Sequence, residues 1–143
     1  MITNLVIGLS TMIGCLILQS LILVLAVRYY ANYNSIAGSP TFLSKMIMLN
    51  IIMMLLVFGN LMQLTIWAIL FLMLGEFNTI SEAIYHSAVN FATLGYGDIV
   101  MSDKHKLLGP LEAINGVLMI GVTTAVLMAA VRETIKKTID EKK

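Results

Sequence analysis

The sequence of residues 93–98 is Thr-Leu-Gly-Tyr-Gly-Asp, and the residue types in this stretch indicate a chemistry. Glycine takes positive φ without steric cost. The alternation of Gly95, Tyr96 and Gly97 can therefore turn successive backbone carbonyls in the same direction. A row of carbonyl oxygens can replace the water around a cation that has left its hydration shell. Because Gly-Tyr-Gly occurs in many loops, its meaning depends on the segments that surround it.

The surrounding segments are strongly apolar. Hydrophobic residues make up 59% of the 143-residue chain and charged residues 12%, about half the charged fraction of soluble domains. Windows 5–27, 46–74 and 107–131 contain no charge apart from Glu112, and each exceeds the roughly 20 residues that a bilayer-crossing helix needs. The sequence therefore predicts an all-α membrane protein with three transmembrane helices. Three amides within the first two spans are expected to point toward protein: Gln19, Asn60 and Gln63.

A shorter helix is predicted over residues 80–92, between the second and third spans. Thr79 and Glu82 match a capping box, which marks a helix start. The helix would be about 20 Å long, at about 1.5 Å per residue, and is too short and too polar to cross the membrane. Because it leads directly into residues 93–98, we expect it to be re-entrant, with its carboxyl end at membrane depth.

This arrangement resembles the helix–pore-loop–helix unit of potassium channels, whose selectivity filter usually has the sequence Thr-Val-Gly-Tyr-Gly. The resemblance covers roughly residues 46–131 and is specific from about Tyr85 to Asp98. It implies that K+ is the permeant ion, bound without its water by backbone carbonyls and the Thr93 hydroxyl. It also implies that four chains surround one axis as a homotetramer. The residues that would form the filter are Thr93, Leu94, Gly95, Tyr96 and Gly97.

The charge pattern and the resemblance together divide the chain into an N-terminal transmembrane helix (1–28), a cytoplasmic linker (29–45), a pore domain (46–131) and a cytoplasmic tail (132–143). Within the pore domain we expect an outer helix over 46–74, a pore helix over 80–92, the filter over 93–98 and an inner helix over 108–131. Of the nine Lys and Arg residues, Lys104 and Lys106 lie between the second and third spans. The positive-inside rule then places the other seven in the cytoplasm, the N-terminus outside and the protein in the cell membrane.

Two residues are expected to support the filter. Asp98 matches the acid that anchors the filter from behind in the family, and Tyr85 falls where many channels carry an aromatic residue bonded to that acid. We therefore expect Tyr85 to pair with Asp98. Leu94 departs from the usual valine. Its side chain is expected to point into the packing behind the filter, where a swap between branched residues of similar size usually costs about a kcal/mol.

Other residues have two interpretations each. Gly121, followed by Gly116, is the candidate hinge of the inner helix, although close helix packing explains both nearly as well. His86 is a proton sensor or a hydrogen-bonding residue of the pore helix, and the second is favoured. His105 is expected to be a surface loop residue. Glu112 is expected to lie in the first turn of its helix, stabilised by the helix dipole, with a functional role as the alternative.

The remaining patterns bear on partners. Arg132, Lys136 and Lys137 could contact anionic lipid headgroups. No basic patch indicates nucleic acid. No carboxylate pair, nucleophile with a base or metal-ligand cluster indicates an enzyme or a small-molecule substrate. Cys15 and the eleven methionines are interpreted as packing residues.

The sequence thus favours a passive, non-enzymatic, potassium-selective channel subunit. One alternative is a subunit of a potassium transport system, although such proteins generally carry four pore loops in one chain and keep a single glycine in each filter. The other is a non-conducting membrane scaffold built on a decayed pore, against which the intact filter stretch argues.

Overall fold

The computed structural model describes residues 1–36 and 42–140. Within these residues the chain forms four α-helices and no β-strand. The helices are α1 (Ile2–Ile36), α2 (Phe42–Met73), α3 (Ile80–Phe91) and α4 (Leu108–Asp140). Of these, α1, α2 and α4 are long and apolar enough to cross a membrane. The predicted all-α membrane architecture is therefore confirmed.

The three long helices extend beyond the bounds that the charge pattern predicted. Helix α1 continues past residue 28 to Ile36, α2 begins at Phe42 instead of residue 46, and α4 continues past residue 131 to Asp140. Polar and charged side chains mark the membrane edge but do not end a helix, because most of them are compatible with helical backbone in water. The long helices therefore extend into the predicted linker and tail, and residues 37–41 of that linker lie outside the described residues.

Helix α1 packs against both α2 and α4. Glycines allow these close approaches, as is usual in membrane helix packing. A Cβ added at Gly8 of α1 would overlap Leu111 of α4, and one added at Gly59 of α2 would lie 2.7 Å from Ile22 of α1. Gly14, by contrast, has no such neighbour within 4 Å. The first helix is thus docked on the other two long helices.

Helix α3 lies between α2 and α4, in the segment that joins them. The N-terminal end of α1 lies beside the loop before α4, where Asn4 Nδ2 donates a hydrogen bond to the Lys104 carbonyl at 2.5 Å. The N-termini of α1 and α4 therefore share the end of the bundle that carries this loop. The amino end of α1 and the carboxyl end of α4 consequently lie at opposite ends of the bundle, as expected for three spans that alternate in direction.

Aromatic side chains form a core where α3 meets α2. The ring centroids of Trp67 and Phe71 are 5.8 Å apart, and those of Phe71 and Phe77 are 6.3 Å apart. Such pairs contribute about 0.5–1.5 kcal/mol each beyond the area that they bury. Cys15 of α1 and Leu108 of α4 are both fully buried in the same cluster. All three long helices therefore contribute to the core on which α3 rests.

A ladder of side-chain hydrogen bonds joins α1, α2 and α4 within their apolar spans. Gln63 Nε2 donates to Gln19 Oε1 at 2.7 Å, and Gln19 Nε2 donates to Thr123 Oγ1 at 3.3 Å. Asn60 Nδ2 also donates to Thr123 Oγ1, at 3.2 Å, and Asn115 Nδ2 approaches Gln63 Oε1 at 3.5 Å. The expectation that the amides at 19, 60 and 63 face protein is confirmed.

The ladder predicts a coupled loss of stability. Gln19→Leu and Gln63→Leu each remove one partner of the same hydrogen bond, so their costs should not add. A double-mutant cycle should give a coupling free energy of about 0.6 kcal/mol, the average for hydrogen bonds between membrane helices. The measurement is the free energy of unfolding in mixed micelles.

Asn50→Leu is the control, because Asn50 is exposed and its amide donates to Met46 O of its own helix, at 3.0 Å. It should show no coupling to Gln19→Leu. If the losses of unfolding free energy in the Gln19 and Gln63 variants are fully additive, the hydrogen bond between these two side chains contributes nothing to stability.

Candidate functional site

The site is built at the carboxyl end of α3, and the amino end of that helix is fixed by a side-chain cap. Thr79 has extended backbone, with φ −126° and ψ 147°, and its Oγ1 accepts a hydrogen bond from the Glu82 N–H at 3.2 Å. An N-cap of this kind satisfies one of the N–H groups that a helix start leaves free. The helix therefore begins at Ile80, where the sequence predicted it.

The carboxyl end of α3 closes with a Schellman motif. Ala92 is the C-cap. The Thr93 N–H donates to Asn90 O, and the Leu94 N–H donates to Val89 O, both at 2.8 Å. The motif requires a left-handed residue after the cap, usually glycine, and here Thr93 takes that position with φ 56°. Left-handed backbone costs a non-glycine residue about 1–2 kcal/mol, so the threonine is held at a strained position.

Left-handed backbone then recurs at every second residue. Gly95 has φ 60° and Gly97 has φ 74°, whereas Leu94 and Tyr96 do not have positive φ. A Cβ added at either glycine would meet no neighbour within 4 Å. Glycine is therefore required here by the backbone conformation and not by lack of space. This alternation is the pattern that can turn successive carbonyls to one side of the chain.

The side chains of this stretch are not covered by the rest of the chain. Leu94 is 54% exposed and Tyr96 is 65% exposed. The packing that was expected behind Leu94 is therefore not formed within one chain. Any cover for these two side chains has to come from outside the described residues.

Asp98 is tied to α3 at the end of the stretch. Tyr85 Oη donates to Asp98 Oδ2 at 2.7 Å, and the Ile99 N–H donates to Asp98 Oδ1 at 3.1 Å. The hydrogen bond from Tyr85 holds the pKa of Asp98 below its usual range, and the Ile99 N–H adds to this effect. The structure thus brings the predicted Tyr85–Asp98 pair into contact.

His86 is a hydrogen-bonded residue of the α3 interior. Its Nδ1 lies 2.9 Å from Ile99 O, and its Nε2 lies 2.8 Å from Asn90 Nδ2. Since the carbonyl can only accept and the amide nitrogen can only donate, a neutral ring with its proton on Nδ1 satisfies both contacts. The ring also packs on Phe71 and Phe77, with centroids 5.6 and 4.9 Å away. The geometry therefore favours the hydrogen-bonding interpretation over the proton sensor.

A second contact holds the loop that follows Asp98. Glu76 accepts hydrogen bonds from the Ser102 N–H and hydroxyl, both at 2.7 Å, and its Oε1 lies 2.5 Å from His105 Nδ1. Burial raises the pKa of Glu76, but these hydrogen bonds and the His105 ring outweigh it and leave the pKa below its ordinary value. We call these three residues the loop clasp. His105 is only 6% exposed, so its prediction as a surface residue was wrong.

Helix α4 contacts α3 through Glu112 and Gly116. Glu112 lies beyond the first turn of α4, is fully buried and forms a hydrogen bond with Ser87 Oγ. The helix-dipole explanation for this acid was therefore wrong. A Cβ added at Gly116 would overlap the Phe91 carbonyl at the end of α3. Close backbone approach thus explains Gly116, whereas Gly121 is exposed and has no such neighbour within 4 Å.

Sequence reasoning missed Glu76, Ser87 and the buried role of His105. One signal for Ser87 was present. His86, Ser87 and Asn90 lie at spacings that share one helix face, and a polar face on a helix at membrane depth has to contact protein. The loop clasp left no comparable signal, because it joins residues 26 to 29 positions apart through loops.

Residues 51–133 match the sequence model of a family described as ion channel. The match covers more than half of the chain, and the chain therefore belongs to the ion channel family. It includes most of α2, all of α3, the stretch after it and α4 as far as Glu133. No curated protein and no solved structure matches the chain. The ion channel family is a non-enzymatic kind of protein, and together with the three apolar helices it indicates that this chain is a multi-pass membrane protein.

The loop clasp predicts a dependence of stability on pH. A carboxyl group whose pKa is lowered by folding stabilises the folded state above its unfolded pKa, and this contribution is lost as pH falls through the lowered value. Glu76 should therefore stabilise the protein above its ordinary pKa of 4.5 and progressively less below it. Glu76→Gln should lower the thermal unfolding temperature near neutral pH and flatten its dependence on acid.

Asp103→Asn is the matched control, because Asp103 is an exposed acid of the same loop that pairs with Lys106 on the surface. The unfolding temperature of this variant should fall with decreasing pH in the same way as that of the wild type. If the unfolding temperature of Glu76→Gln falls with decreasing pH as steeply as that of the wild type, the loop clasp does not contribute to stability.

Proposed function

We propose that the chain is a subunit of a potassium-selective channel, in which four copies place residues 93–97 around one axis. The observation that carries this proposal is the left-handed backbone at Thr93, Gly95 and Gly97, directly after the carboxyl end of α3. Membership of the ion channel family supports the conduction of ions. The choice of potassium rests on the Thr-Leu-Gly-Tyr-Gly sequence and its resemblance to the carbonyl filter.

In this proposal the backbone binds the permeant ion. The carbonyls of residues 93–96 and the Thr93 hydroxyl take the place of the water molecules around K+. The strain at Thr93 is consistent with this role, because strained backbone conformations cluster at functional sites. Asp98 and Tyr85 act as filter support, since their hydrogen bond fixes the residue after Gly97 to α3. The negative end of the α3 dipole adds to the attraction for a cation.

What one chain leaves open supports the four-fold assembly that the resemblance implies. A single stretch cannot surround an ion, and its large side chains at positions 94 and 96 are exposed. Helix α4 also presents an exposed stripe opposite its buried face, formed by Val117, Gly121 and Met128. Residues at these spacings lie on one side of a helix. In the homotetramer this stripe faces the central cavity or the neighbouring inner helix.

Three further assignments complete the proposal. The N-terminus lies outside the cell and the end of α4 in the cytoplasm, by the positive-inside rule. Gly121 is the hinge candidate, because bending there meets no neighbouring side chain. The exposed side chains of Arg132 and Lys136 contact anionic headgroups. The side chain of Lys137, which belongs to the same prediction, lies outside the described residues.

The proposal is tested by ion flux in liposomes that hold the purified protein. We expect K+ flux to exceed Na+ flux, and Gly95→Ala to reduce the K+ flux about tenfold or more. Alanine in the left-handed conformation of Gly95 costs about 1–2 kcal/mol, and this cost opposes the conducting backbone. Gly14→Ala is the matched control, because Gly14 is a helical glycine with no neighbour within 4 Å of an added Cβ.

Each other outcome contradicts a part of the proposal. Equal K+ and Na+ flux would leave a pore without potassium selectivity. Flux that survives in Gly95→Ala would mean that ions do not pass along this backbone. Absence of flux under all conditions, from protein that remains folded, would favour the scaffold alternative.

A further inference from the structure

Glu112 is a carboxyl group without a cationic partner in the interior of the bundle. It is 0% exposed. Its neighbours include Ser87 and Asn90 on α3. Within the described residues it forms no ion pair with Lys, Arg or His. An ionised carboxylate at such a position costs several kcal/mol even after local relaxation, and a neutral acid avoids that cost.

The hydrogen bonds of Ser87 indicate where the proton lies. Ser87 Oγ contacts two oxygens, the Leu64 carbonyl at 2.8 Å and Glu112 Oε1. A hydroxyl has one hydrogen to donate, and a carbonyl has none. If Ser87 donates to Leu64, the hydrogen between Ser87 and Glu112 has to belong to the carboxyl group. An ionised Glu112 would leave one of these two oxygen–oxygen contacts without a hydrogen.

We propose that Glu112 is held as a neutral carboxylic acid that donates a hydrogen bond to Ser87, and that this bond positions α3 and therefore the filter. The chain of bonds runs from α4 through Ser87 to the Leu64 carbonyl of α2. Glu112 is a positioning residue in this account, since it acts through Ser87 and does not touch the ion path. The effect on the filter rests on the proposed function, whereas the protonation of Glu112 does not.

The connection from Ser87 to the filter is short. Val89 and Asn90 follow Ser87 within one helical turn, and their carbonyls accept the N–H groups that begin the filter stretch. One turn beyond Glu112, Gly116 packs its backbone on the Phe91 carbonyl. Helix α4 therefore fixes the last turn of α3 at two points, one a hydrogen bond and the other a close backbone contact. A shift of that turn would move the filter carbonyls with it.

Infrared spectroscopy of the purified protein in lipid tests the protonation directly. The carbonyl stretching band of a protonated carboxyl group should be present near neutral pH, where exposed acids are ionised. It should disappear in Glu112→Gln and remain in Glu82→Gln, because Glu82 is an exposed acid of α3. A band that is absent near neutral pH, or that Glu112→Gln leaves unchanged, would overturn the proposal.

The ratio of K+ to Na+ flux tests the positioning role. Glu112→Gln keeps a hydrogen-bond donor of similar size and should retain the wild-type ratio within about twofold. Glu112→Leu and Ser87→Ala both remove the bond and should lower the ratio about tenfold, the fold-change that corresponds to one buried hydrogen bond. A role in folding alone would lower the yield of protein and leave this ratio unchanged.

The two readouts separate the possible failures. Wild-type flux without potassium selectivity would contradict the proposed function and the positioning role together, while the infrared band would still decide the protonation. Normal selectivity in Ser87→Ala and Glu112→Leu would overturn the positioning role and leave the proposed function intact. If Glu112→Leu fails to fold, Ser87→Ala tests the same bond with a smaller change.

Discussion

The constraint on which the structure depends is that lipid cannot satisfy backbone N–H and carbonyl groups. Helix α3 is too short to cross a bilayer, so its carboxyl end and the stretch after it need partners from the protein. The Schellman bonds at Thr93 and Leu94 satisfy the first N–H groups. For the next residues, Gly95 and Tyr96, the described part of the chain shows no backbone hydrogen bond. Such backbone is stable at membrane depth only inside an assembly or beside water and ions, and the shared pore that we propose would provide both.

The same constraint explains why α2, α4 and the flanking loops hold α3 closely. The cap at Thr79, the Glu112–Ser87 bond, the Gly116 contact and the Tyr85–Asp98 bond fix α3 at both ends. The site also contains two groups that stabilise a protein poorly in isolation, the buried acid Glu112 and the threonine with positive φ, Thr93. Strain and buried polarity of this kind concentrate at functional sites. The rest of the bundle offsets their cost through its aromatic core and its amide ladder.

The spans and the capped start of α3 could be predicted from the sequence because charge, hydropathy and capping are local signals. The left-handed backbone at Gly95 and Gly97 could also be predicted, since both glycines lie within one short stretch of the chain and glycine favours positive φ. The ends of the long helices were missed because charges mark the membrane edge and not the helix end. The loop clasp and the Glu112–Ser87 bond were missed because each joins side chains from distant segments, and no local pattern encodes such a pairing. His105 shows the limit of prediction from local sequence patterns, since only the fold brings it to Glu76 and buries it.

The measurement that tests the central claim most directly is anomalous X-ray scattering from crystals grown in Rb+, an analogue of K+. The account predicts four chains around one axis and a row of peaks on that axis, at the level of the Thr93 to Tyr96 carbonyls. The peaks should be displaced by K+ and not by Na+. Peaks elsewhere, or an assembly in which residues 93–97 of the four chains do not face a common axis, would contradict the claim that this backbone selects the ion.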